Sequence, residues 1–166
     1  MATLEERDLV LTLPPGARGV KYDTATRSLQ HCMKAVDFIV ETAHALYFFE
    51  LKDPDNPKAK AADRAGFIDD MRTGSLDEDL KYKYRDTFLH YWAEERITKP
   101  VRYIVVISLA ALNAPELMAR TDALRKKLPI PREAPSSWTQ HFVSDCFVFN
   151  IEALNRSLPG FHIARK

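Results

Sequence analysis

The sequence is short of most features that announce a class. Cysteine is scarce: Cys32 and Cys146 are the only two, far apart and outside any paired metal-ligand spacing, so two buried, reduced thiols are expected. Long apolar runs are missing, since Val101–Leu112 is interrupted by Arg102 and falls short of the roughly 20 residues that a spanning helix needs. The first residues, Met1–Asp8, hold three carboxylates and no apolar stretch of the kind that a secretory signal carries. These absences lead to the expectation of a cytoplasmic protein with no membrane partner. An excess of one charge is absent too, because 24 Lys and Arg stand against 23 Asp and Glu for a formal net charge of +1. Such a balance lacks the overall basic pull of a nucleic-acid-coating protein, so any nucleic-acid contact must use a local basic groove. No internal repeat or low-complexity tract occurs.

What is present fits one compact domain over residues 1–166. With 46% hydrophobic and 28% charged residues and abundant Phe and Tyr, the chain can bury a core without staples. Leu9–Leu13 and Gly19–Tyr22 flank the turn signal Pro14-Pro15-Gly16, which predicts an opening hairpin or two edge strands. Ala35–Glu41 and Leu46–Lys52 are rich in aromatic and β-branched residues and read as an antiparallel hairpin. Helices are expected over Lys58–Arg72 and Leu76–Ile97. The second has Ser75 and Glu78 at capping-box spacing and an apolar stripe of Leu76, Leu80, Tyr84, Phe88 and Trp92. Val101–Leu109 reads as a central strand buried on both faces. Asn113, Pro115 and Glu116 open another helix that ends near Lys126-Lys127. A strand over Phe142–Phe149, a short helix over Ile151–Leu158 capped by Asn150, and an edge strand over Phe161–Ala164 complete the order. The fold class is therefore α/β or α+β, a mixed sheet with helices on its faces.

One constellation carries chemistry. Side chains alternate along a strand, so Glu50 and Lys52 share a face. If the hairpin closes around Ala43-His44, the residue opposite Glu50 is Asp37, on that same face. The neighbours Val36, Phe38, Val40, Phe48 and Phe49 predict that these strands run deep, where two carboxylates need neutralising. Mg2+ or Mn2+ would do so, held by Asp37, Glu50 and the main-chain carbonyl of Leu51, with Lys52 beside the attacking water. The plainer alternative is a strand-end salt bridge with no metal.

The segments Val36-Asp37-Phe38-Ile39-Val40 and Tyr47-Phe48-Phe49-Glu50-Leu51-Lys52 resemble the core hairpin of the PD-(D/E)xK nuclease superfamily, the restriction-endonuclease-like fold. The resemblance implies an αβββαβ core over about Val20 to Leu109, with residues from about 110 to 166 as elaboration. It implies Asp37 and Glu50 as metal ligands, Lys52 as the catalytic lysine, and hydrolysis of nucleic acid, DNA more than RNA. It also allows a homodimer or a larger assembly. Val36 replaces the Pro of the family's name, at a position that is not a ligand. A further acidic ligand has no clear equivalent, with Glu41 near the far end of its strand and Asp23 unplaced. Lys81, Lys83 and Arg85 on the long helix are candidates for phosphate contact, or a solvated helical face. His31 is a weaker candidate for the same site, and Trp138 lies in a polar stretch that either covers the site or is a surface loop. A second reading keeps the fold without the catalysis, as a protein-interaction or sensing module.

Overall fold

A computed structural model describes residues 1–25 and 27–166. The chain forms β1 (Thr3–Glu6), β2 (Leu9–Thr12), β3 (Arg18–Lys21), β4 (Phe38–Glu41), β5 (Leu46–Lys52), α1 (Ala61–Thr73), α2 (Ser75–Ala93), β6 (Val101–Ile107), α3 (Ala114–Arg125), β7 (Asp145–Phe149), α4 (Ile151–Ser157) and β8 (His162–Arg165), with one 3-10 turn at Pro131–Glu133. A five-stranded mixed sheet has the order β3-β4-β5-β6-β7, and a three-stranded sheet the order β1-β2-β8. In the larger sheet the pairs β3-β4 and β4-β5 are antiparallel, while β5-β6 and β6-β7 are parallel. The parallel pairs need crossovers, and the α1–α2 pair and α3 supply them. This is the mixed sheet with helices that the sequence predicts.

The larger sheet separates two apolar cores. On one side Ile39, Leu46, Phe48, Tyr103 and Val105 meet Leu76, Leu80, Tyr84 and Tyr91 of α2 and Leu117 and Leu124 of α3. On the other, Phe38, Val40, Phe49, Ile104 and Val106 meet Leu9 and Leu11 of β2, Ile163 of β8 and Leu154 of α4. Strand β6 is buried along Tyr103–Ile107, as expected of an inner parallel strand covered on both faces.

Several expectations are corrected. The strands around Pro14-Pro15-Gly16 do not pair with each other: β2 is the inner strand of the small sheet and β3 the edge of the large one. The turn thus hands the chain from one layer to the next. Strand β1, with its polar sequence Thr-Leu-Glu-Glu and no fully buried residue, was not expected. Among the described residues no helix precedes β3, so the leading helix of an αβββαβ core is replaced by β1 and β2. The Ser75–Glu78 capping box does not form, because Gly74, at φ 82°, is both the left-handed end of α1 and the N-cap of α2, which leaves Ser75 inside the helix. Trp92 is 58% exposed and Tyr91 takes its place in the core. A four-residue step overshoots the helical turn, so the stripe has rotated by about 160° between Leu76 and Trp92. Cys146 is buried as expected, whereas Cys32 is exposed on the segment before β4.

Candidate functional site

The hairpin β4-β5 has the register expected from its connector: Phe38 pairs with Phe49 and Val40 with Tyr47. One step beyond the last pair, Asp37 faces Glu50, and alternation puts both side chains on the α2 side of the sheet. Both are buried, Glu50 to 1% exposure and Asp37 to 7%. The approach to Asp37 is held by α2, since the N–H of Lys34 donates to Asp86 Oδ2 at 2.8 Å and that of Val36 to Thr87 Oγ1 at 3.0 Å. The Leu51 N–H donates to Asp37 Oδ2 at 2.6 Å. In a strand the N–H and C=O of one residue point the same way, so the Leu51 carbonyl lies along this same edge.

Two ammonium groups converge on one carboxylate oxygen. Glu50 Oε1 is 2.7 Å from Lys83 Nζ and 3.1 Å from Lys52 Nζ. Lys52 is also 3.4 Å from Asp79 Oδ2, whose other oxygen is 2.5 Å from Lys34 Nζ. Glu50 Oε2 is buried and has no hydrogen-bond partner among the described residues. Burial first, then the charge of Glu50, pushes the Asp37 carboxyl up to about 7. Burial likewise raises Glu50, against the pull of Lys52 and Lys83. Lys83 is pushed down by burial, but Glu50 and Asp37 outweigh this and hold its ammonium above the ordinary range.

These groups lie in a cleft of about 790 Å³ beside the carboxyl end of β5, the end of a parallel pair at which open α/β sheets place ligands. The turn of the β1-β2 hairpin, with Arg7 at φ 52°, forms part of its wall, and the segment from Asn56 into α1 forms another. Carboxylates outnumber cationic side chains in its lining by seven to five. Of the rim cations, Lys58 is 3.3 Å from Asp8 and Arg64 is 2.9 Å from Asp55.

Asp37, Glu50, Leu51, Lys52 and Lys83 therefore come together. Lys81 and Arg85 do not line the cleft; Lys81 pairs with Glu78, and both cations lie against the Tyr82 ring. The reason was available in the helical phase: residues two apart differ by about 200°, so neither neighbour can share the face of Lys83. His31 is exposed and outside the cleft lining. Asp23, unplaced by sequence, lines the cleft, while Glu41 lies at the far end of β4, opposite Leu46, and binds Lys99 at 2.6 Å. Among the described residues no three His, Cys, Asp or Glu side chains are grouped to hold a metal, so Asp23 does not complete a three-carboxylate set. The stretch containing Trp138 leads to Ser144, whose N–H donates to Val101 O at 2.8 Å, at the end of β6 away from Glu50. No helix is long and apolar enough to cross a membrane among the described residues. Compared with protein families, with curated proteins and with solved structures, the chain matches none.

Proposed function

We propose that this chain is a divalent-metal-dependent nuclease of the PD-(D/E)xK type, hydrolysing phosphodiester bonds in nucleic acid, DNA more than RNA. The observation that carries the reading is the pair of buried carboxylates, Asp37 facing Glu50, with the catalytic-lysine candidate Lys52 at 3.1 Å on the floor of an open cleft. Two buried carboxylates on one face repel each other and lose hydration, an arrangement that a purely structural site avoids.

The residues fit Mg2+ or Mn2+ by their chemistry. Glu50 Oε2 is a hard oxygen with no donor, Asp37 stands across from it, and the Leu51 carbonyl shares the edge. When bound, such a cation supplies a Lewis acid that lowers the pKa of water and offsets charge at phosphorus. Lys52, held by Glu50 and Asp79, orients the attacking water and stabilises the charge that develops on the phosphate. Asp37 and Glu50 would hold the cation, and the Leu51 N–H fixes the Asp37 carboxylate in place.

A second reading, a catalytically silent domain that binds a protein partner, is favoured by the excess of carboxylates in the cleft and by the missing third acidic ligand. Cleavage of linear, circular and single-stranded nucleic acid by wild type and Glu50→Ala in Mg2+ and in Mn2+ separates the two. Cutting that disappears in the variant is expected; no cutting by folded wild type under either metal leaves the interaction module.

A further inference from the structure

Glu50 is neutralised in a lopsided way. Both ammonium groups sit on Oε1, at 2.7 Å for Lys83 and 3.1 Å for Lys52, and Oε2 is buried with no partner among the described residues. A permanent structural ion pair in a buried setting is stable when its remaining lone pairs are satisfied. Here they are not. The two lysines also differ in what else holds them. Lys52 has a second carboxylate, Asp79, at 3.4 Å, so it keeps a partner whatever happens at Glu50. For Lys83, Glu50 is the only ion-pair partner among the described residues, and its side chain lines the cleft.

We propose that Lys83 is an exchangeable counterion of Glu50: it neutralises the carboxylate while no divalent cation is bound, and gives it up to the cation when one arrives. This rests on the metal reading above and adds a regulation of the same site. Lys83 competes with the cation for one carboxylate, so affinity for metal is lower than two bare carboxylates would give. The displaced ammonium stays in the cleft, where a phosphate of the substrate is its natural new partner. Metal and nucleic acid then favour each other's binding, because each removes the cost of freeing Lys83 for the other.

The test is Mn2+ titration calorimetry at pH 8 on the full chain and on Lys83→Gln, with thermal melts of both with and without Mn2+. Removing one adjacent positive charge should tighten Mn2+ binding about tenfold or more. Without Mn2+ the variant should melt below wild type, and with Mn2+ it should gain more than wild type gains. Equal Mn2+ affinity in the two proteins overturns the exchange. So does a variant whose melting point is lowered and not recovered by Mn2+, which makes Lys83 purely structural. If Lys83→Gln does not fold, the 15N signals of the wild-type lysine ammonium groups decide it during Mg2+ titration: the Lys83 signal must shift with metal occupancy, and a signal unmoved at saturation overturns the proposal. An absence of Mn2+ binding in both proteins, with melts that Mn2+ leaves unmoved, instead removes the metal reading and this inference with it.

Discussion

At Asp37 the proposed metal binding and stability pull in opposite directions. Its carboxyl is raised from 3.8 to about 7, by burial first and then by Glu50. The folded state therefore binds this proton more tightly than the unfolded chain. Its contribution to stability is full below about pH 4, is lost as pH rises to about 7, and stays lost above. Asp37→Asn keeps an oxygen for the Leu51 N–H and carries no charge. It should stabilise the metal-free protein at pH 8 on the order of 1–3 kcal/mol, with the gain vanishing near pH 4, while abolishing metal binding. Melting curves at the two pH values check it; an equal or lower melting point at pH 8 would mean that the buried pair is not strained. The facing of Asp37 and Glu50 was legible because strand alternation and a connector centred on Ala43-His44 set it locally. Lys83 was legible as a cation of the long helix but not as the partner of Glu50, since that contact joins residues of α2 and β5 that only tertiary packing brings together.

At the scale of elements, the β7 edge of the large sheet is closed by side chains rather than by another strand. Thr121 of α3 accepts the Val148 N–H at 3.0 Å, and Arg125 Nε donates to the Cys146 carbonyl at 3.0 Å. Helix α3 thus caps the free groups of β7 and blocks edge-to-edge pairing. Thr121→Val keeps the shape but leaves the buried Val148 N–H without its partner. A loss of about 1–3 kcal/mol is expected, with greater aggregation on heating; denaturant melts and light scattering would show it, and an unchanged midpoint would mean the edge does not need the cap. The start of α3 was readable because Asn113, Pro115 and Glu116 act within one turn, and the full capping box forms there. The start of α2 was misread for a physical reason of the same range: Gly74 in the left-handed region serves two helices at once, which no spacing rule for Ser75 and Glu78 contains.

For the whole molecule, the two sheets are joined by a partly buried charge cluster at the end of β5. Arg165 of β8 binds Asp53 through both carboxylate oxygens, at 2.6 and 2.9 Å, and Ser108 Oγ and Asn56 Nδ2 donate to the same carboxylate at 2.7 and 2.9 Å. Burial pushes the Asp53 carboxyl up, but the hydrogen bonds from Arg165, Ser108 and Asn56 together hold it below its ordinary value. The pair's contribution to stability is thus present above the unfolded carboxyl pKa and lost as pH falls through the lower, folded one. Arg165→Met leaves Asp53 only its Ser108 and Asn56 donors and should cost about 1–3 kcal/mol near neutral pH, with the loss shrinking in strong acid. Urea unfolding at pH 7 and pH 3 measures this, and a similar loss at both would assign the effect to packing. This link, like the three-stranded sheet that it secures, was invisible in the sequence: Leu9–Leu13 and Phe161–Ala164 each read as strands, yet only long-range pairing makes them neighbours. The fold class was legible because it follows from the order of periodic segments, whereas the second sheet depends on which ends of the chain meet.

The proposed nuclease depends on Asp37 and Glu50 binding a divalent cation. The most direct measurement is the anomalous diffraction of Mn2+ in crystals grown at pH 8 in saturating Mn2+. A peak is expected between the two carboxylates, about 2.0–2.4 Å from Glu50 Oε2 and an Asp37 oxygen, with Lys83 Nζ moved off Glu50 Oε1. A map with no peak there, and Lys83 and Lys52 still both on Oε1, would contradict it.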